Sequence, residues 1–68
     1  MDNFFIHKLE QKRETYIIHF KDIVYWSIKD LDNGHLYVAH TAAEGPHIAL
    51  MNKEGLETYN KWLAYKNQ

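Results

Sequence analysis

At 68 residues and 8.2 kDa the chain has room for one small α+β or similar domain, and a domain of this size buries only about 60% of the surface of its unfolded chain. It has no cysteine, which excludes disulfides, thiolate metal sites and a cysteine nucleophile, and its net charge of −1 gives no overall basic field for duplex nucleic acid. Hydrophobic residues at 46% and aromatic residues at 15% argue against disorder and make aromatic packing the means of stabilising so small a core.

Charge is unevenly spread: residues 1–29 carry +1, residues 30–57 carry −4 and residues 58–68 carry +2. No block of like charge reads as an interaction tail. One Pro and three Gly leave no linker or low-complexity stretch. No apolar run approaches the roughly 18 residues of a membrane span and no secretory signal stands out, so a cytoplasmic chain with no membrane partner is expected.

Residues 4–9 and 15–20 are short, apolar and rich in β-formers, and the charged stretch 10–14 separates them. They are too short for helices, and an antiparallel pair is predicted. Pairing Leu9 with Tyr16, His7 with Ile18 and Phe5 with Phe20 gathers the bulkiest groups on one face.

The strongest local signal is Asp32-Asn33-Gly34 between two β-rich runs over 23–41. A two-residue loop would pair Asp32 with His35 and bring Ser27 opposite His40. A three-residue loop with Gly34 as a left-handed bulge residue would pair Leu31 with His35 and bring Trp26 opposite His40. The second places Val24, Trp26, Ile28, Leu36 and Val38 on one face, and burial selects it, because a one-residue slip turns a whole side-chain set over. That register puts Tyr25, Tyr37 and Lys29 on the other face, with Ile23, Ser27, Ala39 and Thr41.

Thr41-Ala-Ala-Glu44 has capping-box spacing, but Gly45-Pro46 stops any helix there, so 42–46 is read as a loop. His47–Met51 is a short last strand. Asn52 then caps a helix over about 53–66, with Leu56, Tyr59 and Leu63 on its apolar stripe, Trp62 beside it, and Glu57 paired with Lys61. Gly55 is an unfavourable but tolerable intrusion. The fold class expected is α+β: an antiparallel β-sheet of four or five strands covered on one face by a C-terminal α-helix.

Candidate chemistry is sparse. His35, His40 and His47 are five and seven apart, and five along a strand reverses the face, so scattered strand histidines outweigh a metal site. Ser27, the one serine, meets His40 only in the disfavoured register, and no carboxylate is placed to orient a base. Asp30 and Asp32 read as turn residues, and no glycine-rich phosphate loop exists. Neither catalysis nor a cofactor is expected.

Two binding readings remain. Tyr25, Tyr37 and Lys29 on an uncovered sheet face could stack single-stranded bases, helped by Lys12, Arg13 and Lys21; near-neutral charge weighs against this. The same face has the composition of a protein interface, and a small sheet also offers a free edge. The function expected is therefore a non-enzymatic binding module, a small regulator or inhibitor docking on a larger protein or on a second copy. Its candidate binding residues are Tyr25, Tyr37 and Lys29, with the acidic stretch Asp30, Asp32 and Glu44 as the alternative surface.

Overall fold

The computed structural model describes residues 3–42 and 45–68. The elements run β1 (Phe4–Leu9), β2 (Glu14–His19), β3 (Ile23–Leu31), β4 (Gly34–Thr41), β5 (His47–Met51) and α1 (Asn52–Lys66). The five strands form two antiparallel sheets, β1-β2 and β3-β4-β5, rather than one. Both pack against the C-terminal helix, so the architecture is α+β.

In the first hairpin the observed pairs are Phe5 with Ile18, His7 with Tyr16 and Leu9 with Glu14. This is two residues from the expected register. A 3₁₀ turn over Glu10–Lys12, followed by Arg13 at φ 53°, closes the chain more tightly than a loop reaching to Tyr16. A shift of two leaves each side chain on its face, so Phe5 and Ile18 still point inward while Ile6 and Ile17 stay exposed.

The central hairpin corrects the sequence reading. Leu31 pairs with Gly34 across a two-residue turn at Asp32-Asn33, and Trp26 faces Ala39 rather than His40. Gly34 does have positive φ, at +145°, but as the first residue of β4 and not as a left-handed bulge. Its place is held from outside the hairpin. A Cβ on Gly34 would lie 1.8 Å from Oδ1 of Asn52, and that oxygen accepts the His35 N–H at 3.0 Å. The Asn52 side chain thus fastens the start of the helix to the start of β4. It does not cap its own helix, and its backbone sits at φ 50°.

A second irregularity sits at the other end of β3. Ile23 pairs with Thr41, but Tyr25 pairs with His40, leaving Val24 as a bulge. The extra residue lets Ile23 and Trp26, three apart, point to one face. Ile23 is buried, and Val24 is 61% exposed. The turn inverts β4 against expectation: Tyr37 and Ala39 lie on the covered face, while Leu36 and Val38 lie on the other. Asp30 is a strand residue whose Oδ1 lies 3.1 Å from Nε2 of its cross-strand neighbour His35; Asp32 belongs to the turn.

The core comprises Ile18, Phe20, Ile23, Ala39, Ile48 and Leu50, with Phe5, Tyr16, Trp26, Trp62 and Tyr65 packed around it. Aromatic pairs tie the layers together: Trp26 against Tyr59 at 5.7 Å and Trp62 at 6.3 Å, and Phe20 against Tyr65 at 5.8 Å. The helix is rotated from its expected setting. Gly55, Thr58, Tyr59, Trp62 and Tyr65 face inward, whereas Leu56 and Leu63 are exposed. Gly55 is the reason. A Cβ there would meet Tyr37 Cδ1 at 2.5 Å and the Leu50 carbonyl oxygen at 2.8 Å, so the helix approaches the sheet as closely as a missing side chain allows. The helix ion pair is Lys53 with Glu57, at 3.9 Å, in place of the expected Glu57–Lys61. No helix among the described residues is long and apolar enough to cross a membrane.

Candidate functional site

Side chains alternate across a strand, and the observed register therefore defines a second face of the β3-β4-β5 sheet, turned away from the helix. It carries Tyr25, Ser27 and Lys29 from β3, Leu36, Val38 and His40 from β4, and His47, Ala49 and Met51 from β5. Tyr25 is 53% and Met51 45% exposed, and Leu36 and Val38 are half-buried by their neighbours. An antiparallel sheet with one solvated face ordinarily shows polar residues there; this face mixes Ser27, Lys29, His40 and His47 with the apolar Leu36, Val38, Ala49 and Met51 and the Tyr25 ring.

At one end of that face lies a connected polar group. Ser27 Oγ is 2.7 Å from His40 Nε2, and His40 Nδ1 is 2.9 Å from His47 Nδ1. The Tyr25 ring stacks on the His40 ring, with centroids 4.2 Å apart and planes 10° from parallel. His40 and His47 are directly opposed on β4 and β5, and Tyr25 is directly opposite His40. Ser27 reaches His40 diagonally, because its own partner is Val38.

Two proton arrangements satisfy this chain with neutral rings. Either Ser27 donates to His40 Nε2 and His40 Nδ1–H donates to His47, or His47 Nδ1–H donates to His40 and His40 Nε2–H donates to Ser27. The Ser27–His40 distance is that of a nucleophile and its base. Acyl transfer also needs donors aimed at an oxyanion. Backbone N–H groups in the middle of a sheet lie in the sheet plane, engaged in the ladder. The supporting group is an imidazole and not a carboxylate.

The predicted site residues are dispersed. Tyr25 and Lys29 are on the open face as expected, both exposed. Tyr37 is on the opposite face, 8% exposed, beneath Gly55 and beside Tyr59 at 6.1 Å. It is a core ring, and the two-tyrosine platform does not form. Asp30 and Asp32 are exposed at the far end of the hairpin, and Glu44 lies outside the described residues. Lys12 and Lys21 sit in the 3₁₀ turns Glu10–Lys12 and Phe20–Asp22 that flank β2, Arg13 directly follows the first, and all three are likewise exposed.

Sequence reasoning missed the grouping of Ser27, His40 and His47. The spacing rule within one strand does not apply across a loop. His40 and His47 stand near the two ends of the 41–46 connection, so an antiparallel pairing of the flanking strands opposes them whatever their separation in sequence. Among the described residues no three histidines or carboxylates converge as metal ligands. Elsewhere, Tyr16 donates to Glu14 Oε2 at 2.7 Å, and this hydrogen bond, then the carboxylate's charge, holds its phenol above the usual tyrosine range. Comparison with protein-family models, with curated proteins and with solved structures gives no match.

Proposed function

We propose that the chain is a non-enzymatic binding module, a small cytoplasmic regulator or inhibitor that occupies a surface of a larger protein with the open face of its three-stranded sheet. The observation that carries this reading is the apolar character of that face: Tyr25, Leu36, Val38 and Met51 stand where a solvated sheet face would be polar. Tyr25 and Met51 are the exposed anchors, and Lys29 and His47 supply a polar rim. The competing reading, single-stranded nucleic acid stacked on tyrosines, is weakened because Tyr37 is buried and one exposed ring remains on this face.

The test is capture from extracts of the source cells on the immobilised chain, with mass spectrometry of what is retained, comparing the parent with Val38→Lys and Tyr25→Ala. Loss of the same retained protein in both variants, at unchanged circular dichroism, supports the reading. Folded variants that retain it at parental affinity overturn it and direct attention to Asp30 and Asp32. Retained nucleic acid whose binding falls steeply with salt would favour the competing reading.

A further inference from the structure

We infer that His40 and His47 form a two-imidazole chelate for a divalent transition-metal ion with tetragonal preference, Cu²⁺ or Ni²⁺. This goes beyond the docking reading and does not depend on it. Imidazole nitrogens bind such ions at about 2.0–2.1 Å, so two nitrogens in neighbouring positions of a square-planar or six-coordinate ion stand about 2.9 Å apart, against about 3.4 Å in a tetrahedral one. The two Nδ1 atoms are 2.9 Å apart. They are hydrogen-bonded to each other across directly paired strand positions, and with the shared proton gone both lone pairs face the space that one ion would fill.

His40 is prepared for this role. A ligating histidine usually donates its other ring N–H to an oxygen, which fixes the tautomer and the ring orientation. Ser27 Oγ stands at 2.7 Å from His40 Nε2, and in the arrangement where it accepts that proton His40 Nδ1 is bare toward His47, whose own proton moves to Nε2 or is released when the ion binds. The Tyr25 ring, stacked at 4.2 Å, restrains the imidazole plane. The exposed position of His47 leaves room for water to complete the coordination. Cu²⁺ is favoured over Zn²⁺ by the general affinity order of nitrogen sites, and both Cu²⁺ and Ni²⁺ over Mg²⁺ or Ca²⁺ by the ligand type.

The experiment titrates the untagged full-length chain with copper sulfate and with nickel chloride, reading heat and proton NMR line broadening. The expected result is one ion per chain, with broadening strongest at Tyr25, Ser27, His40 and His47. Removing one arm of a chelate forfeits its effective concentration, so His47→Ala and His47→Gln should each weaken binding about tenfold or more. Ser27→Ala, which frees the His40 tautomer, should weaken it by a smaller factor. Broadening centred on His7, His19, His35 or the amino terminus overturns the assignment, as does unchanged affinity in both folded His47 variants. Tighter binding of Zn²⁺ than of Cu²⁺ would overturn the tetragonal preference.

Discussion

Gly55→Ala should destabilise the protein, although on an ordinary helix the same change is stabilising. Replacing glycine by alanine inside an exposed helix gains about 0.8–1.0 kcal/mol. At position 55 the added methyl would lie 2.5 Å from Tyr37 Cδ1 and 2.8 Å from the Leu50 carbonyl oxygen. The Tyr37 ring is buried and borders Tyr59, and the Leu50 carbonyl belongs to β5. Neither contact can be relieved by swinging a free side-chain end, so the helix must lift from the sheet. Overpacking of this kind costs about 1–3 kcal/mol; with backbone and a buried ring as the obstacles the upper part of that range applies, and the net loss reaches about 2 kcal/mol. In a chain of this length each kcal/mol moves the melting temperature by about 4–8 °C. Thermal melts by circular dichroism should therefore place Gly55→Ala below the parent, by up to about 15 °C. Asn60→Ala, on the exposed side of the same helix, should melt at or slightly above the parent, since alanine is the better helix former. A Gly55→Ala protein that melts at or above the parental temperature would refute the close helix–sheet contact and the helix rotation argued from it.

Further outcomes follow from the same geometry. Tyr37→Ala should cost about 3 kcal/mol or more in urea unfolding, as a buried ring does, whereas Tyr25→Ala should cost less than about 1 kcal/mol; equal losses would mean that β4 is not inverted. Trp26→Ala should cost about 3 kcal/mol, near the low end for a large aromatic because the ring is only half-buried, and a melt within a degree or two of the parent would separate Trp26 from Tyr59 and Trp62. Gly34→Ala should lose about 1–3 kcal/mol from its positive φ alone. Adding Asn52→Ala should not restore it, because removing the contacted side chain leaves the backbone strain in place, and full recovery in the double variant would locate the cost in the clash instead. In a spectrophotometric titration Tyr16 should ionise at higher pH than an ordinary phenol, and Glu14→Gln should lower its midpoint by removing the carboxylate's charge. An unmoved midpoint would show that the Glu14 contact is absent in solution.

The amino-acid sequence by itself determined the elements and the fold class. Strand periodicity, the Asp-Asn-Gly turn, the Gly45-Pro46 break and the spacing of charges over 53–66 are local signals, and they predicted a sheet of four or five strands and a C-terminal helix; the structure has five strands, in two sheets. They also placed Tyr25 and Lys29 on the open face. What tertiary structure decided was parity, meaning which face of β4 is inside and which side of α1 is down. Both depend on single residues acting at a distance. The Val24 bulge lets Ile23 and Trp26 share a face, Asn52 holds Gly34 at the start of β4, and Gly55 admits Tyr37 beneath the helix. Because side chains alternate with a period of two, each one-residue choice turns over a whole strand. Tyr37 thereby passes from the expected binding surface into the core, and His40, held apart from Ser27 in the expected register, meets it and His47. No local propensity records those contacts, since each joins residues that become neighbours only when the sheet and helix close on one another.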